Sequence, residues 1–397
     1  MAWTWTKTLV LAGGIGVLAM LGWDDCVKLL HMQPLGIDFM PMWAAGHEIV
    51  HHPGRVYDFT ALTRFQHPLL AGFQGPRPFV YPPTALVLFA PFGLASFSTA
   101  NAIWTAGGLL AILWAMAGPM PRPLLLAAMA LMPASVLVMI TGQVTFLIAA
   151  MTITAILNLE KRPILAGVLF GLAGVIKPQA MALLPVALVA SGQWRAMAAT
   201  ALTAGIAVVA SLLAFGAKTW ALWFAALGKF DQWVMAAPAL ERGMITPTAL
   251  GTNLHLDPGG LDGWRVAFGI GAVLMVWMVF RRTQDPARRL VALLGGGLFI
   301  SPYAMHYDGA LLAPAAALML ANRPSPGAWI AAFAASVVLC FAAIPHWGAA
   351  AVTAFTLFAA LTPATAFGGR WRVAEFAGKS RAAPPEPVHG LEGVDRA

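Results

Sequence analysis

Charge is what this chain has least of: across 397 residues, Asp, Glu, Lys and Arg together make up 10%. That is far too little polar surface to wrap a soluble core of this size, so a water-soluble globular fold is excluded. Strand-like alternation of apolar and polar residues is missing as well, which leaves helices, whose backbone bonds close internally, as the spanning element. Cysteine is scarce. Cys26 and Cys340 form neither a disulfide framework nor a metal-ligand spacing, and the sequence does not say whether they pair. The acidic pair Asp24-Asp25 is adjacent rather than spaced as D-x-D, and no nucleotide or metal requirement is expected. No internal repeat is evident, which counts mildly against duplicated transporter folds.

What is present is apolar: 59% hydrophobic residues and a mean hydropathy of +0.76. The fold class expected is all-α, a polytopic transmembrane bundle. Apolar segments lie at about 8–23, 82–97, 100–118, 123–140, 144–158, 163–176, 179–191, 196–216, 263–280, 290–304, 307–321, 326–344 and 348–366. The first has a signal-peptide-like layout behind Lys7 but no small-x-small cleavage site after it, so it is read as a retained helix.

The net charge of +8 does not suggest nucleic acid, because the cations punctuate the apolar runs instead of forming a patch interleaved with aromatics. Lys7, Arg122, Lys161, Arg162, Arg195, the Arg281 to Arg289 cluster, Arg323 and the cations after Arg370 are placed together in the cytoplasm. Both termini are then cytoplasmic and the number of crossings even. The proline-bearing segment 82–97 is expected to be re-entrant, leaving about twelve spanning helices. Residues 1–367 are expected to form one membrane domain and 368–397 a disordered cytoplasmic tail.

With that topology the polar interruptions share the outer face. Asp38, in GIDFMPMWAAG, sits among apolar and aromatic residues. A loop carboxylate is ordinarily solvated, but an apolar setting raises a carboxylate's proton affinity and suits a general base. Tyr81-Pro82-Pro83 closes the first outer loop, and the paired prolines alone need mean no more than a fixed helix start. Lys177-Pro178-Gln179 puts an ammonium beside a helix breaker at membrane depth; such residues face a cavity, a partner or an anion, or snorkel to headgroups. His306-Tyr307-Asp308 and Gly142-Gln143 are polar turns with little weight on their own. His31, His47, His51, His52 and His67 share the first outer loop at no metal-site spacing. In the second, Trp220, Trp223, Phe224, Leu227, Phe230 and Trp233 fall on one helical face, expected to lie in the interface as an aromatic belt or as a grip for a lipid tail.

Taken in order, the WAAG stretch after Asp38, Tyr57-x-Phe59, Tyr81-Pro-Pro, Gly142-Gln143, Lys177-Pro-Gln179 and Ser301-Pro-Tyr to Asp308 resemble glycosyltransferase family 87, over about Gly36 to Pro314. The resemblance implies a C-type membrane glycosyltransferase fold with Asp38 as catalytic base. Tyr81, Gln143, Lys177, Gln179, His306 and Asp308 would line the substrate cavity, with Lys177 and His306 meeting the donor phosphate. It further implies an inverting transfer of a hexose, most readily mannose, from a polyprenyl-phosphate carrier to a glycolipid or envelope glycan outside the inner or plasma membrane. No cofactor and no metal are expected, and the partners are the lipid-linked donor, the acceptor and membrane lipids. The competing reading is a secondary transporter or lipid flippase, against which stand the nearly charge-free spans and the one-sided polar turns.

Overall fold

A computed structural model describes residues 35–70, 76–235, 240, 243–321 and 326–362. The expected first helix, Asp24-Asp25, Cys26, His31 and the tail after Gly368 lie outside the described residues. Among those described the protein is helical, with one isolated antiparallel bridge, Met244 to Met305, and no strand.

In chain order the helices are α1 (Met40–His51), α2 (Phe59–Gln66), α3 (Pro83–Phe89), α4 (Phe97–Ala117), α5 (Pro123–Ala130), α6 (Pro133–Thr141), α7 (Thr145–Asn158), α8 (Pro163–Ile176), α9 (Leu184–Ala190), α10 (Trp194–Met235), α11 (Pro247–Asn253), α12 (Pro258–Arg282), α13 (Pro286–Ile300), α14 (Ala313–Ala321), α15 (Pro326–Cys340) and α16 (Gly348–Leu361). Proline opens many of them, where its fixed φ fits and its missing N–H costs nothing. Asp58, Ser96, Asp257 and Asp285 cap α2, α4, α12 and α13 by accepting from first-turn N–H groups. This is why α12 starts several residues ahead of the apolar run at 263: the Asp257 cap and Pro258 begin the helix within the polar loop.

The apolar segments and the helices correspond closely, but their lengths do not all reach across a bilayer. Among the described residues four helices are long and apolar enough to span, namely Phe97–Ala117, Trp194–Val234, Pro258–Arg282 and Pro326–Ala343; α5 and α6, bent by 61° at their junction, make a fifth if counted as one. Prolines at the heads of α6 and α9 divide runs that read as continuous in sequence. Helix α3 has seven residues and so rises ~10 Å, about a third of a hydrocarbon core.

Contacts place two helices of the expected outer loops. Helix α1 is packed inside the protein, with Met40, Met42, Ala44, Ala45 and Ile49 buried, because MPMWAAG is small or apolar on every face. Helix α10 breaks at Gly216, whose φ of 77° is left-handed. Trp220 Nε1 donates to Ser211 Oγ at 3.2 Å. Residues nine apart on a straight helix are ~13 Å apart in rise and on opposite faces, so the second half must turn back at Gly216. Part of the aromatic face then meets protein, with Trp223 Nε1 donating to the Val80 carbonyl at 3.1 Å and Phe230 edge-on to Tyr303 with centroids 5.0 Å apart, while Phe224 and Leu227 stay exposed.

The membrane-length half of α10 packs along α8 through small residues. A side chain on Gly167 would come within 2.3 Å of the Ala196 carbonyl, and Thr200 Oγ1 donates to the Gly167 carbonyl at 3.1 Å. At one end of the bundle, Glu160 accepts from both Arg289 Nη1 and Gln193 Nε2 at 2.7 Å, tying two connecting loops to the first turns of α13. The turns carrying Gln143 and Lys177 lie at the opposite ends of α7 and α8.

Candidate active site

The site begins where two turns meet. Helix α6 ends at Gly142 in the left-handed conformation (φ 75°), and the segment Gly36 to Phe39 runs alongside it: Gly36 N–H donates to Ile140 O, and the N–H groups of Asp38 and Phe39 to Thr141 O, at 2.8, 2.8 and 3.1 Å. Trp104 of α4 donates through Nε1 to the Gly142 carbonyl at 2.9 Å and stacks on the buried Phe39 ring at 5.3 Å. The Gly-Gln turn thereby fixes the backbone of Asp38.

From this floor the polar side chains converge. Tyr81 OH donates to Gln143 Oε1 at 3.4 Å, while the Tyr81 carbonyl accepts from Tyr57 OH at 2.9 Å. Lys177 forms an ion pair with Asp308, whose Oδ1 also accepts from Thr145 Oγ1 at 3.4 Å and whose Oδ2 accepts from the Met305 N–H at 3.2 Å. The backbone N–H of His306 donates to the Gly243 carbonyl at 2.9 Å, so the His306 turn is held against the stretch that follows α10.

The two carboxylates differ in what can reach them. Asp308 is sequestered, its side chain 3% exposed, whereas that of Asp38 is 21% exposed. Asp38 carries its own cation, Arg77, with Nη1 3.4 Å from Oδ1. Arg77 belongs to no sequence-derived motif, and its one signal was an arginine four residues ahead of Tyr81.

The chain has 22 phenylalanines and four tyrosines, and all four tyrosines, Tyr57, Tyr81, Tyr303 and Tyr307, are at this site. Burial raises the Tyr81 phenol well above its ordinary pKa, and Tyr303, Asp308 and Asp38 add to the effect. Tyr303 and Tyr307 are raised in the same way, by burial first and then by the charges of Asp38 and Asp308. These phenols therefore stay protonated as hydrogen-bond donors. Burial lowers the His306 pKa below its usual value against the opposing pull of Asp38, its Gly243 hydrogen bond and Asp308, so the imidazole is neutral at pH 7.

Asp38, Tyr81, Gln143, Lys177, His306 and Asp308 are thus gathered around one region by direct contacts or by the fields of the two carboxylates. Gln179 is not brought in by such a contact: it lies half-buried in a 3-10 turn, Pro178–Met181, packed on α13, and its side chain makes no hydrogen bond among the described residues. His47, His51 and His52 group instead near the buried Glu48, with His47 and His51 rings 4.4 Å apart. Among the described residues no cluster of three or more His, Cys, Asp or Glu side chains is arranged to hold a metal.

One reachable carboxylate amid protonated phenols, a neutral imidazole and two cations is suited to accepting a proton from a hydroxyl beside an anionic group. Comparison with known proteins points the same way. The chain is 26% identical over 328 residues to the polyprenol-phosphate-mannose-dependent alpha-(1-2)-phosphatidylinositol pentamannoside mannosyltransferase of Mycolicibacterium smegmatis, an alignment covering 76% of this chain and 72% of the relative. No solved structure matches. The model of glycosyltransferase family 87 matches residues 79–302, more than half of the chain, taking in Tyr81, Gln143, Lys177 and Gln179 while Asp38, His306 and Asp308 lie outside the matched stretch. With its apolar spanning helices and this match, the chain is a multi-pass membrane glycosyltransferase and belongs to glycosyltransferase family 87.

Proposed function

We propose that the protein transfers a hexose, specifically mannose, from a polyprenyl-phosphate carrier to a glycolipid or envelope glycan with inversion at the anomeric carbon. The observation that carries this reading is the partly exposed Asp38 carboxylate held beside buried phenols and cations. The donor class and the sugar are supported by the name of the mycobacterial relative.

In the reaction, an acceptor hydroxyl oxygen bonds to the anomeric carbon as the bond from that carbon to the phosphate oxygen breaks. The hydroxyl proton passes to Asp38, and the electron pair of the broken bond leaves with polyprenyl phosphate. Lys177 and His306 are assigned to the phosphate. Since His306 is neutral and Lys177 is paired with Asp308, His306 acts as a hydrogen-bond donor and Lys177 shares its charge with Asp308. Tyr81, Gln143, Gln179 and Asp308 are assigned to the walls of the sugar site. The carrier delivers an activated sugar, so the scheme requires neither nucleotide nor metal.

The site is placed on the outer face of the inner or plasma membrane, with both termini cytoplasmic and an even number of crossings, near twelve. Lys161 and Arg162, between α7 and α8, and Arg195, at the start of α10, lie at the end of the bundle away from Gln143 and Lys177, which supports that orientation by the positive-inside rule.

Membranes containing wild-type protein or Asp38→Asn, supplied with a panel of radiolabelled polyprenyl-phosphate sugars, test the assignment. Wild type should incorporate label from one donor, and Asp38→Asn should insert normally while losing about 10²- to 10⁴-fold of that activity. Near-normal turnover in Asp38→Asn would remove Asp38 from the role of base.

A further inference from the structure

The scheme above leaves the nearest cation to Asp38 without a task. Arg77 is built into the site: its N–H donates to Thr63 Oγ1 at 2.9 Å, and its carbonyl accepts from Gln66 Nε2 at 3.0 Å. Gln66 is itself fully buried and donates also to the Leu62 carbonyl at 3.0 Å. Two backbone bonds to α2 thus fix the root of the arginine, while its guanidinium reaches across to Asp38, 39 residues away in sequence. The Arg77 side chain is 16% exposed, so this is no solvated surface pair.

The contact takes one oxygen of the base, Oδ1, and leaves Oδ2 for the proton of an acceptor hydroxyl, so the pair orients the carboxylate without closing it. At 3.4 Å the pair is looser than the ~2.7 to 2.9 Å of a tight charge-assisted bond, so the guanidinium can be drawn to a better anion. A phosphate offers a matching fork of oxygens and gains charge as its bond to the sugar breaks.

We propose that Arg77 is a positioning residue shared between Asp38 and the phosphate of the lipid-linked donor. It holds and orients the Asp38 carboxylate through Oδ1 while the site is empty and is drawn to the phosphate when the donor enters. The proposal rests on the polyprenyl-phosphate reading given above and goes beyond it by coupling the base to the donor phosphate through one arginine.

Binding of polyprenyl phosphate, the unreactive product, to the full chain in lipid nanodiscs separates the two. Asp38→Asn should tighten binding roughly fivefold by releasing Arg77, Arg77→Gln should weaken it, and in the Arg77→Gln background Asp38→Asn should make no further difference. Arg77→Lys, which keeps the charge but loses the fork, should restore binding in part and leave turnover low. If Asp38→Asn changes nothing, or tightens binding equally with and without Arg77, the sharing is overturned while the donor assignment stands. If no variant binds polyprenyl phosphate, both fall.

Discussion

Gly36 and Gly142 pack backbone to backbone: a Cβ on Gly142 would lie 3.3 Å from the Gly36 Cα and 2.7 Å from the Phe39 Cβ. Both residues have left-handed φ, 76° and 75°. The position of Asp38 is set by this contact, so Gly142→Ala should cost about 1 to 3 kcal/mol of stability and lower turnover without touching a reacting group. A lowered melting temperature in detergent, together with reduced turnover of the protein that remains folded, is the expected result.

The buried pair of Lys177 and Asp308 should behave as a unit. Lys177→Met or Asp308→Asn alone leaves one member without its counter-charge in a sequestered place, at a cost of about 3 to 5 kcal/mol. The double variant should cost less than the sum of the two, which a thermal-melting double-mutant cycle would read directly.

Lys177 was legible in the sequence because an ammonium interrupts an apolar run, where a polar group needs a reason. Asp38, Tyr81, Gln143 and Asp308 carried little weight alone and stood out only by their order in the family resemblance. Arg77 did not: a loop arginine is unremarkable until its contact with Asp38 is seen. Tyr303 and Tyr307 were read only as parts of a turn, since their meeting with Tyr81 depends on how α6, α7 and the 3-10 turn His306–Leu312 pack. For the aromatic stripe from Trp220 to Trp233, spacing predicted one face correctly. Its orientation toward Val80 and Tyr303 follows from the fold at Gly216, which period alone does not reveal. Segment positions were readable for the same reason that lengths were not: hydropathy marks a run, while prolines such as Pro133 and Pro185 divide it.

His306 gives the site a sign-definite response to acid. Burial lowers its pKa below the unfolded value near 6.5, so the unfolded state takes up the proton first. The stability contributed by the neutral imidazole is fully present above pH 6.5 and is lost as pH falls through the lowered folded value. His306→Gln should remove part of the drop in melting temperature between pH 7 and acid, measured against wild type.

Tyr81→Phe deletes one hydroxyl, and with it the 3.4 Å bond to Gln143, but keeps the ring contacts with Phe79 and Phe89. A neutral hydrogen bond is worth about 0.5 to 1.5 kcal/mol, so turnover should fall roughly 2- to 12-fold with little change in melting temperature. A large loss of stability instead would assign the hydroxyl to folding.

The gathering of all four tyrosines has a spectroscopic consequence. Replacing tyrosine biosynthetically with a fluorinated analogue gives four fluorine resonances, of which those of Tyr81, Tyr303 and Tyr307 report on the region around Asp38 and Asp308 and that of Tyr57 on the adjoining Tyr81 backbone. The sugar site can thus be watched through the membrane protein's own composition, without introducing a single cysteine or attached probe.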